Sequence, residues 1–352
     1  MDRKYRRKKE KKTLIQKIIF SFYIILLLVF GAAIAFGVSF YYSYNQKELD
    51  KTDLGINEDF ISNTVTAKVK EPELDKNNKD KEEEKVETLD ISGVKNIALF
   101  GLDRRTADEE STRSDSMMVL TLNYDTKEIK LTSFMRDMLV RVDGHGVTKL
   151  NHAYAYGGPQ LAVKTLNQNF GLNIEEYVSV DFLMLEEIIN SVGGVKLDVD
   201  KEEMKLINKY MKEIAKKNNK DYEKLTTFGK VELNGQQAVA YARIRKHGNG
   251  DYERTERQRE VLTEIINNIS KVNPTRVPSL ASAILSNTET SVPRSEAMLL
   301  AKDYLLEGFS SPQSSRIPRD GSFTAGIQPS GMWGMKVDFD KEKQYLREWI
   351  FE

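Results

Sequence analysis

The sequence predicts an α/β domain, a central mixed β-sheet flanked by helices, preceded by one transmembrane helix. Three observations predict it. From residue 94 onward, short apolar runs that end at glycine or turn residues alternate with longer runs of helical periodicity. Residues 18–42 carry no charge at all. The cysteine count is zero, which leaves an apolar core, and no disulfide or thiolate metal site, to hold the fold.

In order along the chain, residues 1–17 are dense in lysine and arginine and read as a cytoplasmic basic tail. The uncharged run 18–42 spans roughly 35 Å at about 1.5 Å per residue, against about 30 Å of bilayer hydrocarbon, so it is long enough to cross. A cleaved signal peptide has an apolar region of only about 7–15 residues. The basic flank on the N-terminal side predicts a single-pass protein of the cell membrane, with the N-terminus cytoplasmic and the following domain extracytoplasmic. Residues 43–93 are polar and of mixed charge, which predicts an extended linker.

The folded part opens with Asn96-Ile-Ala-Leu-Phe100, an apolar strand ending in Gly101, followed by strands at Met117–Leu122 and Glu128–Ser133 around the turn residues Asn-Tyr-Asp-Thr. Pro159 fits the first turn of a helix through Asn169, and Asp181 fits the cap of a helix through Ser191 that stops at Gly193-Gly194. Val195–Val199 reads as a strand, residues 201–218 as a charged amphipathic helix, and Gly235–Ile244 and Arg254–Ser270 as helices. The remaining residues, 273–352, alternate helix with short strands and read as an extension of the catalytic domain or an accessory region, with the domain itself at 94–272.

The chain holds 53 basic and 53 acidic residues, so its net charge is zero and a protein built wholly for nucleic acid is excluded. Its three histidines, His145, His152 and His247, show no HExxH spacing, and neither a P-loop nor a G-x-S-x-G elbow occurs. What stands out is arginine beside aspartate in three separated segments. Asp103 and Asp115 close and precede consecutive strands, so a loop folding back brings two carboxylates together with Arg105 and Arg113. Two carboxylates without histidine or cysteine suit a hard cation such as Mg2+, or Mn2+ in its place. Arg136-Asp137 follows a strand, and a guanidinium fork binds phosphate in a bidentate way that lysine does not. Taken alone, that pair is also compatible with a surface ion pair worth about 0–1 kcal/mol. Arg243 and Arg245 precede the breaker Lys246-His-Gly-Asn-Gly250. Arg254, Arg257 and Gln258 then share one face of the next helix, near its anion-favouring N-terminal end.

In this order the motifs resemble the LytR-CpsA-Psr family of cell-wall ligases. The residues are G-x-D-x-R at 101–105, R-S-D-S-M at 113–117, S-x-x-R-D at 133–137, K-L-N-x-A at 149–153, the G-G-V turn at 193–195, and A-R-x-R followed by D-x-x-R-x-x-R-Q between 242 and 258. Beyond residue 275 the match loosens to Ser315-Arg-Ile-Pro-Arg-Asp320 and Gly331-Met-Trp-Gly-Met335 with Asp338. Phe134-Met135 stands where the family more often has Ile-Pro.

The resemblance implies an enzyme that takes a glycopolymer of teichoic-acid or capsular-polysaccharide type from a polyprenyl-pyrophosphate carrier. It joins the polymer by a phosphodiester to a peptidoglycan sugar hydroxyl, with no nucleic acid involved. Asp103 and Asp115 match the magnesium-binding aspartates. Arg105, Arg113, Arg136, Arg243, Arg245, Arg254, Arg257 and Gln258 match the pyrophosphate-contacting set. Among these, Arg136, Arg243 and Arg254 are the expected catalytic clamp. Asp251 is the expected general base, with Asp103 as the alternative. Hydrolysis of the same pyrophosphate by water, and a lipid-sensing regulatory role without chemistry, are the competing readings.

Overall fold

In the computed structural model the described residues are 45–57, 64–69, 85–90, 93–102, 113–218, 221–248, 250–273, 276–306, 308–329 and 331–351. The uncharged run 18–42 lies outside them. No helix among the described residues is long and apolar enough to cross a membrane.

The strands and helices follow in chain order. An antiparallel pair, β1 (Thr64–Val69) and β2 (Lys85–Asp90), stands before the main sheet. β3 (Val94–Leu102), β4 (Ser114–Asn123) and β5 (Glu128–Phe134) form its centre. A small hairpin, β6 (Leu139–Val142) and β7 (Gly146–Lys149), leads into α1 (Leu150–Phe170). Then come β8 (Glu176–Asp181), α2 (Phe182–Ser191), β9 (Val195–Val199), α3 (Lys201–Asn218), β10 (Gly229–Leu233), α4 (Gly235–Ala242) and α5 (Asp251–Ile269). The chain closes with α6 (Val277–Ser286), β11 (Glu289–Thr290), α7 (Arg294–Leu306), β12 (Gln313–Ile317), β13 (Phe323–Ile327), β14 (Trp333–Val337) and α8 (Phe339–Phe351).

The six-stranded sheet has the order β11-β8-β3-β4-β5-β12. β3 pairs parallel with β8 and antiparallel with β4, and β5 pairs antiparallel with β4 and parallel with β12, so the sheet is mixed. Both edge strands come from beyond residue 272. Alternation divides its two faces. Ala98, Phe100, Leu102, Met117, Val119 and Phe134 enter a core shared with α1, α8 and the two hairpins. By the same alternation Leu99, Leu120, Leu131 and Ser133 point the other way, toward α5, which packs on β5. A second core joins α2 to α5 with β9 and β10. The helix α5 touches both β5 and β9 and so spans the two cores.

One expectation is corrected. Residues 45–57 are not extended linker: Leu54 is 2% exposed inside the first core, and Asp50 caps a short 3-10 turn while binding Gln160. The polar average over 43–93 conceals Leu49, Leu54 and Ile56, which pack on that core. The helix expected from Pro159 is present, and a further helical segment that the sequence did not announce precedes it from Leu150. Gly157 and Gly158 divide the two, with Gly158 at φ 62°, and Pro159 then occupies the first turn of the second segment.

Candidate active site

The site forms where the C-terminal end of β5, the start of β4 and the N-terminus of α5 meet. Arg136 lies in the turn after β5. That turn is fixed from below by Met135 and Met138, which are buried, and from the sides by backbone bonds from Met135 N to Ile317 O (2.8 Å) and from Met335 N to Asp137 O (2.9 Å). A flexible side chain is therefore mounted on a rigid base.

Asp115 is the centre of the cluster. Its carboxylate accepts Arg136 Nη1 at 2.6 Å and Arg245 Nη2 at 2.7 Å and lies 3.5 Å from Arg254 Nη1, and its carbonyl accepts Arg254 Nη2 at 3.1 Å. Asp251, the first residue of α5, contacts Arg254 at 3.0 Å, Arg136 Nε at 3.3 Å and Arg245 Nε at 3.8 Å. Asp137 lies 3.6 Å from Arg136 Nε and 2.7 Å from Lys149 Nζ. Arg136, Arg245, Arg254 and Lys149 thus face three carboxylates, a surplus of one positive charge among the described residues.

Burial raises the pKa of Asp115, but Arg136, Arg254 and Arg245 outweigh it and hold the carboxyl below its ordinary range. Burial pushes the Arg254 guanidinium down to about 10, with Asp251 opposing and Arg245 and Arg136 adding to the fall. It remains charged near neutral pH. Burial also works against the charge of Arg136, yet Asp115, Asp251 and Asp137 lift its pKa above the usual value. Arg136 Nε and Arg254 Nε are both buried and donate no hydrogen bond among the described residues. Buried N–H groups are nearly always satisfied, so two such donors in one cationic cluster mark a place for an oxyanion.

Asp103 and Arg105 lie outside the described residues. Arg113 is exposed, and its charge reaches His152, whose pKa burial lowers first and then Arg113 and Lys149. Arg243 terminates α4 and lies 4.6 Å over the Phe182 ring. Arg257 turns inward to Glu203 (2.7 Å) and Glu253 (3.0 Å), and Gln258 reaches the Ala242 carbonyl at 3.5 Å. These two brace the segment carrying Arg243 and Arg245. The sequence marks Lys149 only as part of the K-L-N-x-A motif. Its pairing with Asp137 brings it into the cluster, and the signal was its place at a strand–helix junction.

Among the described residues, Asp200, Glu203 and His247 also converge closely enough to suit a cation. Their atoms are committed. Asp200 Oδ1 caps α3 through the backbone N–H groups of Glu202 and Glu203, and Oδ2 meets His247 Nε2 at 2.7 Å. Glu203 accepts from the Asp200 backbone N–H and from Arg257. This is a capping box tied to the 243–250 segment.

A family model described as the LytR_cpsA_psr family matches residues 62–344. The chain is 30% identical over 286 residues, 80% of each chain, to a polyisoprenyl-teichoic acid–peptidoglycan teichoic acid transferase, TagU, of Enterococcus faecalis. It is 29% identical over 266 residues, 74% of this chain and 75% of the relative, to the regulatory protein MsrR of Staphylococcus aureus. A solved structure of TagT bound to LI-WTA aligns with TM-score 0.58 and 26% identity, covering 73% of this chain and 90% of that one. On the extent of the family match and the identity to these relatives, the chain belongs to the LytR-CpsA-Psr family.

Proposed function

We propose that this protein transfers a glycopolymer of teichoic-acid or capsular type from a polyprenyl-pyrophosphate carrier to a sugar hydroxyl of peptidoglycan. One observation carries the reading: among the described residues the Asp115 cluster has more cations than carboxylates, and two of its buried guanidinium N–H groups, Arg136 Nε and Arg254 Nε, make no hydrogen bond. The family membership supports it, as does the transferase named among the relatives.

The acceptor hydroxyl oxygen attacks the polymer-side phosphorus, the phosphoanhydride P–O bond breaks, and polyprenyl phosphate departs with the bonding electron pair. Arg136, Arg245 and Arg254 exchange their aspartate contacts for phosphate oxygens, and stabilise the charge that grows on the leaving oxygen. Asp251 sits among these three arginines and takes the hydroxyl proton. The carboxylate oxygens of Asp115 are hard donors that suit a magnesium ion, so Asp115, with Asp103, would hold it. When bound, the ion supplies further charge neutralisation at the pyrophosphate. Leu99 and Leu120, half-buried on the α5 side of the sheet, offer the polyprenyl chain an apolar path. The uncharged run 18–42 anchors the protein in the cell membrane, with the N-terminus cytoplasmic and the site on the outer side.

The test incubates the full-length protein with lipid-linked polymer and peptidoglycan fragments and weighs the products by mass spectrometry. A polymer–peptidoglycan conjugate supports transfer, whereas free polymer phosphate in its place would establish hydrolysis and sink the proposal. Arg136→Ala and Arg254→Ala should each lower the rate about a hundredfold or more, the scale for losing one transition-state donor.

A further inference from the structure

One turn beyond the Asp115 cluster, a second pair of guanidinium groups stands between α5 and the sheet. Tyr252, Thr255 and Arg259 share one face of α5 by their i, i+3, i+7 spacing. That face lies over the ends of β5 and β12: Thr255 Oγ1 contacts Met135 Sδ at 3.6 Å, and the Arg316 guanidinium lies 4.5 Å from the Tyr252 ring centre. Arg316 and Ser133 are direct partners in the parallel β5–β12 register, so their side chains leave the sheet on the same side.

Three polar atoms here have no partner. Arg259 Nε, Arg259 Nη1 and Ser133 Oγ are buried and make no hydrogen bond among the described residues. The carboxylates nearest Arg259 in sequence, Glu256 and Glu260, act on it at range, and Glu260 is already taken by the Tyr241 hydroxyl at 2.6 Å. Burial first, and then the positive charge of Arg316, depress the proton affinity of Arg259. Arg316 pairs with Asp320, a side chain that is 90% exposed. A buried cation with unfilled donors, repelled by a second cation, is costly in the free protein. An arriving anion relieves both penalties.

We propose that Arg259, Arg316 and Ser133 form a second anion subsite, which holds the phosphate of the polyprenyl phosphate as it leaves. The inference rests on the function proposed above and names the end of the substrate that this part of the site recognises. The direction of the chain assigns that end. Ser133 lies on the face of the sheet that also carries Leu131, which is fully buried, and Leu120 and Leu99, which are half-buried, so a phosphate held here has its lipid beside an apolar face. Arg245, at the other side of the cluster, is 45% exposed and opens toward solvent, where a polar polymer belongs. Breaking the phosphoanhydride thus leaves the polymer phosphate with Asp115's arginines, which also face the bridging oxygen as it departs, and passes the lipid phosphate to Arg259.

The test measures binding of geranylgeranyl diphosphate, geranylgeranyl monophosphate and geranylgeraniol to the full-length protein in detergent, together with thermal melting without ligand. Arg259→Met, which keeps the length of the side chain and removes its charge, should weaken monophosphate binding tenfold or more. It should melt at or above wild type, since an uncompensated buried charge has gone. Arg259→Lys should recover part of the affinity, and Ser133→Ala should lose a few-fold. Unchanged monophosphate binding by Arg259→Met, or a ligand-free melting point below wild type, overturns the subsite and leaves a purely structural arginine. Wild-type protein that binds the alcohol as well as the diphosphate would overturn the transfer reading itself. Loss of diphosphate binding in Arg136→Ala alone, with Arg259→Met intact, would leave the transfer reading standing and remove the subsite.

Discussion

Asp115 shows how one side chain can be both scaffold and site. Its folded pKa is depressed, so the stability that it contributes is present above the ordinary carboxylate range, about 4, and is lost as pH falls through the lower folded value. Asp115→Asn should therefore be less stable than wild type near pH 7, by roughly 1–3 kcal/mol for leaving partly buried arginine donors less well satisfied. The gap should close as the pH is lowered below the ordinary carboxylate range, about 4. Urea unfolding at a series of pH values checks this, and a gap independent of pH would refute the assignment. At this scale the sequence was informative but incomplete. The proximity of Arg136, Arg245, Arg254, Asp115 and Asp251 followed from their motifs. Residue type and helical spacing could not tell that Arg257, three positions from Arg254, would turn to Glu203, because that partner comes from α3, over fifty positions away.

The helices were legible where a cap announces them. Asp181 accepts from the backbone N–H groups of Leu183 and Met184, and Asn234 forms a capping box with Gln237. Replacing Asp181 by Ala should cost about 1 kcal/mol, read as a shift in the denaturant midpoint. The two helices that these residues start are pressed together. A Cβ added at Gly235 would stand 2.2 Å from the Glu186 carbonyl oxygen, so α2 and α4 approach closely only because position 235 carries no side chain. Gly235→Ala should destabilise by roughly 1–3 kcal/mol, more than the cap mutation, because α2 must move. The β6–β7 hairpin and the first half of α1 were not legible: four-residue strands and a segment holding two adjacent glycines give neither periodicity room to register.

Across the whole molecule the alternation of strand and helix predicted the mixed sheet, but not which strands would form its edges. Those are β11 and β12, short segments whose pairing depends on chain far away in sequence. A protein ending at residue 272 would leave β5 and β8 with open edges and would strip α8 from the first core. It should be recovered as aggregate, where the full-length protein is recovered in solution with detergent, and gel filtration of the two distinguishes the outcomes.

The bond from Met135 to Ile317 therefore has a bearing on the order of events in the protein's life. The turn that presents Arg136 is complete only when a strand made some 180 residues later has docked against β5. Contacts of such long sequence separation form slowly, after the loop between them has closed. A nascent or clipped chain carries every arginine of the cluster and still has no firm seat for Arg136. Such a chain is expected to be a poor catalyst of pyrophosphate chemistry until β12 has docked.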